Sequence, residues 1–157
     1  MVPRHCPCAH PHIRAKDDMS DWTDHALLTL QRRGLRRGRA RRLVIEVLGG
    51  EDCALSAQEI DARLGGDVGM ASVYRVLELL TDLKLVHRLD MGQGQASYET
   101  IDPSGEHHHH AVCGHCGRLE PFEDADLERA VDRLADKVGF SVDAHEVVLH
   151  GRCPDCS

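Results

Sequence analysis

A chain of 157 residues, 41% of them apolar, is long enough for one ordinary domain or two small ones and can bury a real core, which excludes the disordered and fibrous classes. Aromatics at 3% exclude a base-stacking platform for single-stranded nucleic acid and leave Leu, Val, Ile and Ala to build that core. The net charge of −7 is segregated: residues 31–42 (QRRGLRRGRARR) hold seven arginines and no acid, and residues 101–157 hold twelve acids against five Lys and Arg, so the overall sign does not exclude a polyanionic partner.

Residues 1–19 (MVPRHCPCAHPHIRAKDDM) mix Pro, Cys and His without periodicity and read as a disordered leader, with Met19 an alternative start. Its His5, Cys6, Cys8, His10 and His12 could hold a soft metal loosely, or belong to an extension without function. From Asp24 the pattern is helical, with Leu27, Leu28 and Leu30 leading to a stop at Gly34. Beyond the arginines, Ala40, Leu43, Val44, Val47 and Leu48 predict a second helix closing at Gly49-Gly50. Ser56 and Glu59 form a capping-box signature for a short third helix through Ile60 and Leu64. A fourth helix is expected from Met70 to Lys84, with Val73, Val76, Leu77, Leu80 and Leu83 on one face and Ser72, Tyr74, Arg75 and Glu78 toward solvent.

Residues 85–89 (LVHRL) and 96–99 (ASYE) flank the Gly-rich stretch 91–95 (MGQGQ), which predicts a β-hairpin. Short helices followed by a hairpin make a winged helix spanning residues 20–100, in which the helix before the wing enters the major groove of double-stranded DNA. Ser72, Tyr74 and Arg75 are then candidate DNA contacts, and Arg36, Arg37 and Arg39 are expected near the phosphate backbone or in a narrow A·T-rich minor groove. A solvated basic turn between two helices is the plainer reading of the same arginines. Residues 101–106 (IDPSGE) read as a hinge, and residues 107–157 as a small α/β module. Its expected elements are strands at 108–112, 118–122 and 140–150 and an amphipathic helix through Leu127, Val131, Leu134 and Val138 that ends at Gly139. So little apolar material would be marginal alone, so a metal, a dimer interface or both should support it. The fold class expected is α+β.

No run approaches the ~18 apolar residues of a membrane span, and no signal-peptide core is present, so a cytoplasmic location is expected. In that reducing compartment CxxC pairs read as metal ligands or redox groups. The pairs Cys113/Cys116 and Cys153/Cys156 supply four thiolates, a complete tetrahedral shell for structural Zn²⁺, with a dithiol switch or an iron–sulfur cluster as alternatives. Within His107-His108-His109-His110, strand alternation puts His108 and His110 on one face and His107 and His109 on the other, so one run can serve two metal sites. Further ligands are available in His87 and Glu99 on the hairpin and in Glu128 and His145 in the acidic module. His25, His115 and His150 read as ordinary histidines, and Cys53 as a small buried residue.

Together these features resemble the ferric uptake regulator superfamily of bacterial metalloregulators. The resemblance is carried by residues 71–77 (ASVYRVL), Tyr98-Glu99, the HHHH run with residues 111–113 (AVC), both CxxC pairs, and His145 eight residues before Cys153. It implies a homodimer with an N-terminal winged helix and a C-terminal dimerisation domain that binds A·T-rich inverted repeats when metal occupies a site between the domains. It further implies structural zinc on Cys113, Cys116, Cys153 and Cys156, a second dimerisation-domain site on His107, His109, Glu128 and His145, and a regulatory site on Glu99, His108 and His110. Two ligands of the family's iron sensors are replaced here, by Ala54 and Pro121, whereas His87 stands where zinc-sensing relatives place a ligand. A set of His87, Glu99, His108 and His110 would be four-coordinate and suits Zn²⁺ better than Fe²⁺. Ile101 departs in the other direction, because zinc sensors of the family often have a cysteine near it. The expected function is therefore a metal-dependent repressor, most readily zinc-sensing, with no membrane or small organic substrate as partner. The alternatives are an Fe²⁺ sensor or a peroxide sensor of the same superfamily, and more remotely a zinc metallohydrolase using Glu106 as base.

Overall fold

Apolar residues three and four apart through the N-terminal half fold as helices, and the shorter alternating runs fold as strands, in a computed structural model that describes residues 16–36, 38–51, 54–92, 94–104 and 108–157. Residues 16–21 are described as helix backbone. Arg37, Cys53, Glu106, His107 and the Cys- and His-bearing part of the leader lie outside the described residues. The chain divides into two compact units between positions 107 and 108.

The N-terminal unit runs α1 (Lys16–Arg32), α2 (Arg39–Gly49), β1 (Leu55–Ser56), α3 (Ala57–Leu64), α4 (Met70–Asp82), β2 (Val86–Gly92) and β3 (Gln95–Thr100). The strands form an antiparallel sheet in the order β1-β3-β2. Its core joins Trp22, Leu30, Ile45, Leu48, Ile60, Val73, Leu77, Leu80, Val86 and Tyr98. Helix α1 starts at Lys16 rather than Asp24, so helical backbone enters the stretch that read as leader. Its inner face is Trp22, Ala26 and Leu30, four residues apart, whereas Leu28 is 48% exposed. The Trp22 indole is buried and donates its Nε1–H to the Leu85 carbonyl at 3.1 Å, and Leu27 packs partly buried against the same core.

Helix α3 starts where its capping box predicts. Glu59 N–H donates to Ser56 Oγ at 3.2 Å, Ser56 N–H donates to Glu59 Oε2 at 2.8 Å, and Gly65 closes the helix with φ +59°. Helix α4 ends at Asp82 rather than Lys84, because Lys84 turns to φ +55° and the Leu85 N–H closes back on the Leu80 carbonyl at 2.9 Å. Strands β2 and β3 run further into the turn than expected, past a register shift between Asp90 and Gly92. The two-residue β1, too short to show any period, was not foreseen in the sequence pattern.

The C-terminal unit runs β4 (His109–Cys113), β5 (Leu119–Phe122), α5 (Ala125–Val138) and β6 (Val148–Gly151), then a 3₁₀ turn at Pro154–Cys156. Sheet order is β5-β4-β6, with β4 antiparallel to β5 and parallel to β6. Asp124 caps α5 by accepting the Leu127 N–H at 2.8 Å, and Gly139 ends it with φ +73°. The strand expected over residues 140–150 contracts to Val148–Gly151, and Phe140 (72%) and Val142 (47%) stand exposed. No residue of α5 is buried. The buried residues here, among those described, are His109, His110, Val112 and Cys113. The observed architecture is α+β, four helices and a hairpin followed by a small α/β unit with a thin core.

Ser56→Ala removes the hydroxyl that caps α3 while leaving the core untouched. Urea unfolding followed by the fluorescence of Trp22, the single tryptophan, is expected to show a loss of about 1 kcal/mol; an unshifted midpoint would mean that the Glu59 arm alone carries the cap.

Candidate metal centres

Two tight turns bring the cysteines together. After β4 the chain reverses over residues 113–117, where Gly117 N–H donates to the Cys113 carbonyl at 2.9 Å and Gly117 takes φ +76°, a backbone that side-chain-bearing residues rarely adopt. At the chain's end Cys156 N–H donates to the Cys153 carbonyl at 2.9 Å. The parallel pairing of β6 on β4 sets these turns side by side, with Cys113 in register with Gly151. All four sulfur atoms lie within 4.8 Å of one another, and Cys116 and Cys153 Sγ are 3.7 Å apart. A tetrahedral ion with metal–sulfur bonds of about 2.3 Å separates its ligands by about 3.8 Å. The donor set and its spacing therefore fit a closed thiolate shell of zinc size.

The thiols are electrostatically unequal. Backbone N–H groups of Cys116, Cys153 and His115 favour the Cys113 thiolate and bring its pKa down to about 5. Burial pushes Cys153 up, and the hydrogen bond from Cys153 followed by burial pushes Cys156 up to about 12. One thiolate is stabilised by the fold and the next ones resist ionising beside it. A bound divalent cation removes that conflict by compensating the accumulated negative charge.

A second cluster lies in the same unit. Glu128, in the first turn of α5, meets two imidazoles, with Oε1 2.8 Å from His109 Nε2 and Oε2 3.0 Å from His145 Nε2. His109 is 1% exposed and packs against Phe122 and His145, ring centroids 5.6 and 5.2 Å away. These three residues of the expected four come together with ligand atoms within 4.8 Å, and His107 is outside the described residues. The set offers two nitrogens and one carboxylate to a borderline cation.

The remaining candidates fall in pairs within their own units. His108 and His110 share the other face of the β4 segment, ring centroids 4.8 Å apart, as the alternation predicts. His87 on β2 and Glu99 on β3 are direct cross-strand partners, so their side chains leave the same face of the N-terminal sheet. Pro121 stands opposite His110 on β5, and Ala54 is buried; neither offers a metal ligand.

On α4, Tyr74 is 40% exposed, Arg75 and Glu78 are exposed and Ser72 is half-buried, so Tyr74 and Arg75 present the more open surface. The arginines of the arm are not equivalent. Arg39 pairs with Asp67 at 3.0 Å, and Arg41 donates to the Arg36 carbonyl at 2.6 Å, bending the arm back on itself. Neither Arg41 nor Gln58, whose amide is 3.4 Å from the Tyr74 hydroxyl, stands out in the sequence. One arginine among seven and one glutamine on a polar helix face carry no distinguishing pattern.

Residues 32–150 match the model of the ferric uptake regulator family. The ferric uptake regulation protein of Bordetella parapertussis is 31% identical over 142 residues, which is 88% of this chain and 97% of that protein. The ferric uptake regulation protein of Cupriavidus metallidurans is 40% identical over 92 residues, 57% of this chain and 63% of that relative's length. The crystal structure of the Vibrio cholerae ferric uptake regulator superposes with a TM-score of 0.72 at 32% identity, covering 80% of this chain and 98% of that one.

A thiol with its folded pKa depressed stabilises the fold fully above its ordinary value of 9.0 and loses that contribution as pH falls toward about 5, the range set by Cys113. Protons compete with the ion for the thiolates, so protein loaded with zinc is expected to hold it at neutral pH and to release it as the solution is acidified. A chromophoric chelator reads that release, and loss already complete at neutral pH would contradict the thiolate shell.

Proposed function

The chain belongs to the ferric uptake regulator family, and from that premise we propose that it is a metal-dependent repressor that binds an A·T-rich inverted-repeat operator as a homodimer, with zinc as its co-regulator. Its relatives are regulators rather than enzymes, so the hydrolytic reading of the histidine run falls away. Among the described residues no helix is long and apolar enough to cross a membrane.

The observation that carries the zinc reading is the pairing of His87 with Glu99 across β2 and β3. An iron site of the family's usual kind would draw on positions that here are Ala54 and Pro121, whereas the His87–Glu99 pair can complete a four-coordinate set with His108 and His110. Four ligands of this kind suit Zn²⁺. The names of the relatives favour a second reading, an Fe²⁺ sensor. In either reading the cysteine cluster holds a structural zinc, and His109, Glu128 and His145, with His107, hold a further ion. The regulatory ligands come from both units, so an ion taken by all four favours one arrangement of the two. If that arrangement spaces two α4 helices by one turn of DNA, occupancy and operator binding are thermodynamically linked. In each copy Tyr74, Arg75 and Ser72 would face base edges and phosphates, with Arg36, Arg37 and Arg39 on the backbone or minor groove.

Homodimerisation is supported by the C-terminal unit. Helix α5 has no buried residue, and Leu134, Val138 and Phe140 are 59%, 55% and 72% exposed. Exposed apolar side chains of this size call for a covering surface, and a second copy supplies an identical set.

The test is an operator titration under anaerobic, metal-buffered conditions at fixed salt, with Zn²⁺, Fe²⁺, Mn²⁺ and Ni²⁺ compared. Zinc is expected to raise operator affinity at buffered levels where the other ions do not, with two copies of the chain per operator. His108→Ala is expected to keep the thiolate-bound zinc and lose on the order of 10-fold or more of the metal-stimulated affinity. Unchanged stimulation in that variant would reject the regulatory site, and activation by Fe²⁺ alone would select the second reading.

A further inference from the structure

Arg118 spans the two ends of the cysteine cluster. It lies two residues after Cys116, and its backbone carbonyl accepts the Cys113 N–H at 2.8 Å. Its side chain then reaches Asp155, which sits between the two cysteines of the second pair 37 residues away, with Nη1 3.2 Å from Asp155 Oδ2. Two further bonds, Nε and Nη2 to Glu120 Oε2 at 3.2 and 3.1 Å, fix the guanidinium from the β5 side. The planar fork can hold both carboxylates at once, which a lysine ammonium does with less directional definition.

The surroundings call for such a group. Four thiolates around a divalent ion leave a residual charge of about −2, and Asp155 and Glu120 add more beside it. A cleft of about 380 Å³ opens beside the cluster, lined by Cys113 and Cys153 together with Arg118, Arg152 and Pro154, and Cys116 is exposed. Glu120 first, then Asp155 and Cys153, favour the charged guanidinium and raise its pKa above the ordinary value.

We propose that Arg118 is a positioning residue for the cysteine cluster: it straps the Cys153–Cys156 turn onto the Cys113–Cys116 turn and sets its positive charge beside the sulfurs, slowing metal loss and electrophilic attack on the thiolates. The assignment rests on reading the cluster as a structural zinc site. It gives Arg118 a role that is neither a ligand's nor a DNA contact's. Outer groups that orient and neutralise metal ligands commonly change metal retention by about 10- to 100-fold when removed.

The experiment uses the full chain loaded with zinc and compares Arg118→Gln, Arg118→Lys, Asp155→Asn and the Arg118→Gln/Asp155→Asn double variant. Zinc transfer to an excess of chromophoric chelator gives the release rate, and mass spectrometry after brief iodoacetamide exposure gives cysteine alkylation. Arg118→Gln is expected to release zinc about 10-fold faster or more and to be alkylated correspondingly faster. Arg118→Lys should fall between it and the unaltered chain, because the charge stays and one arm of the fork is lost. Asp155→Asn should also be faster than the unaltered chain, and the double variant no faster than Arg118→Gln alone. Release within twofold of the unaltered chain for Arg118→Gln, or an Arg118→Lys rate equal to that of Arg118→Gln, would overturn the assignment. Should Arg118→Gln fail to load, Arg118→Lys and Asp155→Asn decide it: both faster supports the strap, both unchanged overturns it. An unaltered chain that takes up no zinc would instead overturn the reading of the cluster itself.

Discussion

The C-terminal unit depends on whether four sulfur atoms can be held together at the ends of its sheet. Its core is too thin to do so by apolar burial, since α5 contributes no buried residue and the enclosed side chains include two histidines. The parallel pairing of β6 with β4 delivers the two cysteine turns to one place, and the backbone around Cys113 favours one thiolate there. Burial and neighbouring thiols hold Cys153 and Cys156 protonated, so a cation that binds all four sulfurs would strengthen the link between the two turns. On the proposed reading of the cluster as a zinc site, metal binding and folding of this unit are one process, and the placement of its histidines and of the exposed α5 follows from it.

A single strand divides the ligands that remain. Along residues 108–110 alternate imidazoles leave opposite faces, so His109 meets Glu128 and His145 while His108 and His110 share the other side. Shifting that register by one residue would exchange the two sets. The register is set by pairing on both flanks, His109 against Phe122 and His110 against Val148. In the other unit the pairing of β2 with β3 performs the same service for His87 and Glu99. The proposed regulatory chemistry thus rests on strand registers more than on loop geometry.

Much of this was legible in the sequence wherever the signal was local. The Ser56/Glu59 box, Gly139 after the α5 stripe, the alternation of the histidines and the spacing of the CxxC pairs each state their physical meaning within a few residues. The misreadings have a common cause in long-range packing. Helix α1 reaches back to Lys16, and its buried Trp22 bonds to the distant Leu85 carbonyl, which no periodicity reports. The stretch 140–150 reads as a strand, but a strand needs a partner, and only Val148–Gly151 finds β4. Arg118 carries no local signal for the same reason, because its partner Asp155 lies at the far end of the unit.

The most direct measurement of the central claim is hydrogen–deuterium exchange on the full chain, zinc-loaded and then stripped of metal under reducing conditions. If the thiolate cluster holds the C-terminal unit together, the amides of β4 and β6 lose their protection on stripping while those of α2 and α4, buried in a separate core of the N-terminal unit, keep theirs. Protection of β4 and β6 that survives complete metal removal would contradict the account.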